Sequence, residues 1–160
     1  MKKVLLLSLF PVFISSGNIK NLEVCYEESI VNIKSKDIQL SSPTTTQLIN
    51  AIIFVESRGN DSAIGDRHLI GNEAVGALQI RPIMVKEVNR ILKLQGKTKR
   101  FKLKDRFDRQ ESINMFIVWK KYHHPEENIE KIARNWNGGG RGYTYDRTLP
   151  YWAKIQKQLK

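Results

Sequence analysis

The chain has 160 residues, enough for one domain around one core, and its 41% hydrophobic and 27% charged residues exclude long-range disorder outside the ends. Lys and Arg number 27 against 16 Asp and Glu, a formal charge of +11. A surface that basic attracts polyanions, whether nucleic acid, anionic membrane or acidic wall polymers, and charge alone does not choose among them.

In chain order, Met1-Lys2-Lys3 is a short positive start, Val4 to Ile14 an apolar run, and Ser15-Ser16-Gly17 a group of small residues. That order predicts a secretory signal peptide over residues 1–17, cleaved near Ser15 to Asn18, and hence an exported protein. The run is shorter than the roughly 20 residues of a membrane-spanning helix, and Pro11 argues against a buried helix. Removing Lys2 and Lys3 would lower the charge from +11 to +9. Cys25 is the one cysteine, so no internal disulfide can form.

Residues 18–43 are polar and weakly periodic, a linker or irregular N-terminal arm. The main domain is expected over 44–160. Ser41 to Thr46 clusters turn and cap residues ahead of Leu48, Ile49, Ile52, Ile53 and Val55, the spacing of one helix face, with Gly59 as its stop. Asn60 to Ala77 reads as a long loop. Pro82 opens a second helix closed by Gly96, and Lys97 to Arg106 is a basic stretch, either a short strand or a coiled crossing. Asp108 to Glu111 resembles a capping box for a third helix; Ile129, Ile132, Ala133 and Trp136 mark a fourth. Asn137 to Tyr145 reads as a glycine-rich loop, and Thr148 as the cap of a fifth helix carrying Trp152, Ile155 and Leu159. The fold class is mainly α, a single domain.

Glu56 stands out. It follows Ile52 by four residues and Ile53 by three, so it falls on the apolar face of its helix. It also lies at the helix C-terminus, where the dipole disfavours a carboxylate. Both effects raise its pKa, and a carboxylic acid still protonated near neutrality is what glycosidic cleavage needs. The histidines, His68, His123 and His124, lack metal-ligand spacing, and His123-His124 reads as a surface pair. No metal and no cofactor are expected. The basic stretch has few aromatics and no nucleic-acid motif, so no specific nucleic-acid partner is expected either.

Glu56-Ser57-Arg58-Gly59-Asn60, then Gly76-Ala77-Leu78-Gln79-Ile80, then Trp136-Asn137-Gly138-Gly139 follow in this order. Together the three blocks resemble the lytic transglycosylase and goose-type lysozyme superfamily. The likeness runs from about Gln47 to Ile155 and implies a lysozyme-like, mainly helical fold. It implies that Glu56 is the acid/base, that Ser57 supports the site, that Gln79 faces the sugars and that Asn137 lines the cleft. It also implies that Gly76 and Gly138 bring backbone close to substrate. Trp136 stands where the family usually has Tyr, so another hydroxyl would have to orient the acid; Tyr143, Tyr145 and Tyr151 are candidates for that and for substrate contact.

The function so implied is cleavage of the bond between N-acetylmuramic acid and N-acetylglucosamine in peptidoglycan, by a lytic transglycosylase that forms a 1,6-anhydro sugar. Two alternatives stay open. One is a lysozyme-type hydrolase with Asp61 or Asp66 activating water; the other is a non-catalytic wall-binding or virion structural module. The expected partners are peptidoglycan glycan strands, with anionic wall polymers on the basic surface.

Overall fold

A computed structural model describes residues 43–160. The expected signal peptide, the arm before residue 43 and Cys25 lie outside the described residues. Those residues, within the compact unit Ser42–Lys160, are mainly helical. The helices are α1 (Thr45–Ser57), α2 (Pro82–Leu94), α3 (Arg109–His123), α4 (Ile129–Gly138) and α5 (Leu149–Gln158). Two short strands, β1 (Ile64–Gly65) and β2 (Ala74–Val75), pair antiparallel. Among the described residues no helix is long and apolar enough to cross a membrane.

The helices start where their caps dictate. The Thr44 hydroxyl accepts the Gln47 N–H while the Gln47 side chain accepts the Thr44 N–H, a reciprocal box that fixes the start of α1. Pro82 opens α2 at a position that needs no N–H. Asp108 accepts the Glu111 N–H at 2.8 Å and caps α3, and Asn128 does the same for α4. Thr148 precedes α5 but makes no cap bond. It is buried, receives the Arg134 guanidinium and donates to the Gly142 and Tyr145 carbonyls.

The core is one cluster. Leu48, Ile49, Ile52 and Ile53 of α1 meet Leu78 and Ile80 after β2, Val85 and Val88 of α2, Met115 and Phe116 of α3, Ile132 and Ala133 of α4, and Ile155 of α5. Helix α1 packs on α4 and α5, and α2 packs on α3.

Several local expectations give way. The loop after α1 contains the β1–β2 hairpin. The basic stretch forms no strand; it ends in a 3-10 turn, Leu103–Phe107. The last turn of α4 runs on from Trp136 through Asn137 to Gly138, so Asn137 sits on a helix and not in the expected loop. His124 is buried at 2% exposure against Trp119 and is no surface residue, whereas His123 bonds Glu87 at 2.8 Å.

Candidate functional site

The end of α1 carries the site. Because Ile52 and Ile53 are buried, Glu56 one turn later must point the same way. The Ser57 hydroxyl fastens this helix end, donating to the Ile53 carbonyl at 3.2 Å and to the Ala77 carbonyl at 2.8 Å. That second bond joins α1 to the turn Gly76–Gln79 after β2.

The turn is built on close backbone contact. Gly76 has φ +78°, and a Cβ there would stand 1.8 Å from the Arg106 carbonyl oxygen. Arg106 itself is buried; one guanidinium nitrogen donates to both the Glu73 and Ile80 carbonyls at 3.0 Å. Gln79 turns its amide inward, donating to Gly76 at 2.9 Å and Ala63 at 3.3 Å. Arg81, at the head of α2, pairs with Asp66 and reaches the Asn72 carbonyl, tying the hairpin to that helix.

A cleft of about 480 Å³ opens beside this turn. Glu56 stands at one wall. Gly65, Asp66, Ala74, Gln79 and Ile80 line it from the hairpin side, Arg81, Ile83 and Met84 from α2, and Trp136, Asn137 and Gly139 from the end of α4. Trp136 packs its other edge into the core, on Phe116 at 4.9 Å and Trp119 at 5.1 Å between ring centres. The indole is thereby held rigid at the cleft wall.

Glu56 is partly exposed as a residue because it borders the cleft, yet its carboxyl is enclosed. Burial raises its pKa from the ordinary 4.5 to about 7. The Tyr151 hydroxyl opposes that shift, donating to Glu56 Oε1 at 2.9 Å; the nearby Asp66 charge raises it and Lys154 lowers it. The phenol of Tyr151 is held above its ordinary value by burial and by Glu56, so it remains the donor.

Of the residues expected at a site, Glu56, Gln79, Trp136 and Asn137 meet at one cleft. Tyr151 touches Glu56 from inside α5. Three other expected residues, Ser57, Tyr143 and Tyr145, do not line the cleft. The Ser57 hydroxyl is spent on two carbonyls. Tyr143 stacks under Arg134 at 4.8 Å, and Tyr145 under Arg147 at 4.6 Å, neither of them lining the cleft. The glycines serve packing: Gly76 admits the Arg106 backbone, and a Cβ on Gly138 would meet the Thr148 methyl at 2.7 Å.

Asp61 and Asp66, the carboxylates expected to activate water, are both paired with arginines. Asp61 pairs with Arg109 at 2.9 Å and does not line the cleft; Asp66 lines it but pairs with Arg81. Glu73 accepts the Gly71 N–H, and backbone bonds hold its pKa low. Among the described residues, no group of three or more His, Cys, Asp or Glu is placed to hold a metal ion. Sequence reasoning missed Arg106, whose place in a basic run hid its buried role, and the contribution of Ile83 and Met84. Their only signal is position, one turn into a helix that starts at the cleft.

No family model and no curated protein matches the chain. A chain of the crystal structure of Aeromonas hydrophila PliI in complex with Meretrix lusoria lysozyme is similar to it in fold, with a TM-score of 0.56. Identity is 19%, over 71% of this chain and 89% of that one. These findings correct the expected enzyme: no family model supports a transglycosylase, and a solved structure of like fold is of PliI with a lysozyme. Glu56 is a protonatable carboxyl at a cleft, in a mainly helical fold similar at low identity to that of one chain of that complex.

Proposed function

We propose that the protein is a non-catalytic module that binds peptidoglycan glycan strands in the cleft beside Glu56. The observation that carries this reading is the cleft's mixed wall. A rigid indole (Trp136) stands with a side-chain amide (Asn137) and a carboxyl that is half protonated near pH 7. Sugars present apolar faces and hydroxyls together, and such a wall answers both. A neutral Glu56 both donates and accepts hydrogen bonds; an ionised one only accepts. The low-identity fold likeness to a complex containing a lysozyme supports a setting at peptidoglycan, the substrate of lysozymes. The motif likeness supports the same polymer. The expected +9 charge of an exported form would add weak attraction to acidic wall polymers.

The test is sedimentation with purified peptidoglycan, with soluble products analysed by mass. Retention that falls about fivefold in Asn137→Ala, the worth of one hydrogen bond, supports the reading when no soluble fragments appear. Release of muropeptides by the parent protein, or failure to sediment, overturns it.

A further inference from the structure

From the last turn of α2 into the 3-10 turn, residues 93–104 carry six cations and no acid: Lys93, Lys97, Lys99, Arg100, Lys102 and Lys104. Every residue of this segment is exposed except Phe101, which is buried in the core. Hydrogen bonds fix its backbone. Asn89 of α2 holds Phe101 twice, accepting its N–H and donating to its carbonyl, each at 2.8 Å. Residues 90–100 are thereby closed into a loop at the C-terminal end of α2. The Lys97 N–H returns to the Leu92 carbonyl at 2.9 Å, and the Lys102 N–H donates to Asp105 at 2.8 Å. This closure gathers the cations at one end of the helix.

Like charges so gathered repel one another, and the fold answers little of that repulsion. Lys99 pairs with Glu111 of α3 at 2.7 Å and lies over the Phe101 ring. Lys93 sits in the last turn of α2, where the helix dipole favours a cation. Among the described residues, Lys97, Arg100, Lys102 and Lys104 are in no ion pair. A partner that brings negative charge relieves the repulsion.

Charge alone admits any polyanion, and the apolar residues narrow the class. Leu94 is 62% exposed and Leu103 51% exposed, one near each end of the segment. A leucine gains from leaving water for hydrocarbon and gains nothing from a hydrated phosphate chain. The one ring of the segment, Phe101, is buried, so bases of a nucleic acid find nothing to stack on. An anionic bilayer answers both features, with phosphates for the cations and an acyl boundary for the leucines.

We propose that residues 93–104 form a docking surface for an anionic lipid bilayer, with the cations among the headgroup phosphates and Leu94 and Leu103 entering the interface. The protein then rests on a membrane through this loop, and no described helix is long and apolar enough to cross one. The proposal does not depend on what the Glu56 cleft binds.

The test is co-sedimentation of the full chain with vesicles of phosphatidylglycerol and phosphatidylcholine in equal parts, beside phosphatidylcholine alone. The apolar run Val4 to Ile14 is common to parent and variants, so differences among them report other residues. The parent should bind the mixed vesicles more tightly than the neutral ones. Each lysine at an anionic surface strengthens binding about fivefold, so Lys97→Gln/Lys102→Gln should weaken it about 25-fold. Lys157→Gln/Lys160→Gln removes two exposed lysines near the C-terminus and should bind like the parent. Leu94→Ser/Leu103→Ser should lose about tenfold on the mixed vesicles and nothing on immobilised polyphosphate. All six positions are exposed, so melting temperatures should stay near that of the parent. Equal binding of the parent to both vesicle types overturns the proposal. So does a Lys97/Lys102 variant that loses no more than the Lys157/Lys160 variant. A leucine variant that binds the mixed vesicles like the parent also overturns it, and makes the partner a soluble polyanion.

Discussion

The Tyr151 hydroxyl donates to Glu56 Oε1 at 2.9 Å across 95 residues of sequence, and this bond joins the last turn of α1 to the first turn of α5. It sits where burial drives the Glu56 proton on and the phenol draws it off. Two chain segments with no local relation thus set one titration.

Tyr151→Phe removes the donor that lowers the Glu56 pKa, so the carboxyl should titrate above its present value of about 7. Carbon-13 shifts of the Glu56 carboxyl against pH measure this. The variant should lose about 1 kcal/mol of stability, more at pH 8 than at pH 5, because a hydrogen bond to an ionised carboxylate is the stronger. An unchanged Glu56 midpoint would show that the bond does not form in solution.

Glu56 also makes stability depend on pH. Between pH 4.5 and about 7 the unfolded chain has released this proton and the folded chain keeps it. The folded state then binds more protons, so stability falls as pH rises through that window. The full cost, reached above about pH 7, is about 3 kcal/mol. Glu56→Gln should abolish this slope and melt higher than the parent at pH 8, with little difference at pH 4.5. Glu87 and Glu126, both lowered to about 2 by their basic partners, act in the opposite direction at lower pH. They cancel in the comparison of parent with variant.

Glycan retention should follow the same titration. A neutral Glu56 can donate to a sugar oxygen and an ionised one cannot. Sedimentation with peptidoglycan should weaken about fivefold between pH 6 and pH 8, while Glu56→Gln, always a donor, should retain glycan equally at both. Equal pH dependence in parent and variant would place the titrating group elsewhere.

Two glycines test the hairpin. Gly76→Ala would put a Cβ 1.8 Å from the Arg106 carbonyl at φ +78°. It should cost about 3 kcal/mol or more. Gly71 has nearly the same φ, +77°, but nothing within 4 Å, so Gly71→Ala should cost about 1 kcal/mol for backbone strain alone. Urea midpoints compare them. A Gly76 variant as stable as the Gly71 variant would mean that the Arg106 backbone yields.

The sequence by itself determined the helices, because the forces that start and bury them are local. Thr44 with Gln47, Pro82, Asp108 and Asn128 each act within one turn of their own helix. The 3.6-residue period put Leu48, Ile52 and Glu56 on one face before any partner was known. Only the tertiary structure decided what meets that face. Tyr151 rather than Tyr143 or Tyr145 reaches Glu56 because α5 packs against α1, and a packing direction leaves no mark in local spacing. Arg106 and His124 looked like surface residues in polar runs, yet both are buried. The first finds carbonyls 26 and 33 residues away, while Trp119 covers the second. Burial of a polar side chain depends on which distant groups can satisfy or cover it, and that is a property of the assembled core.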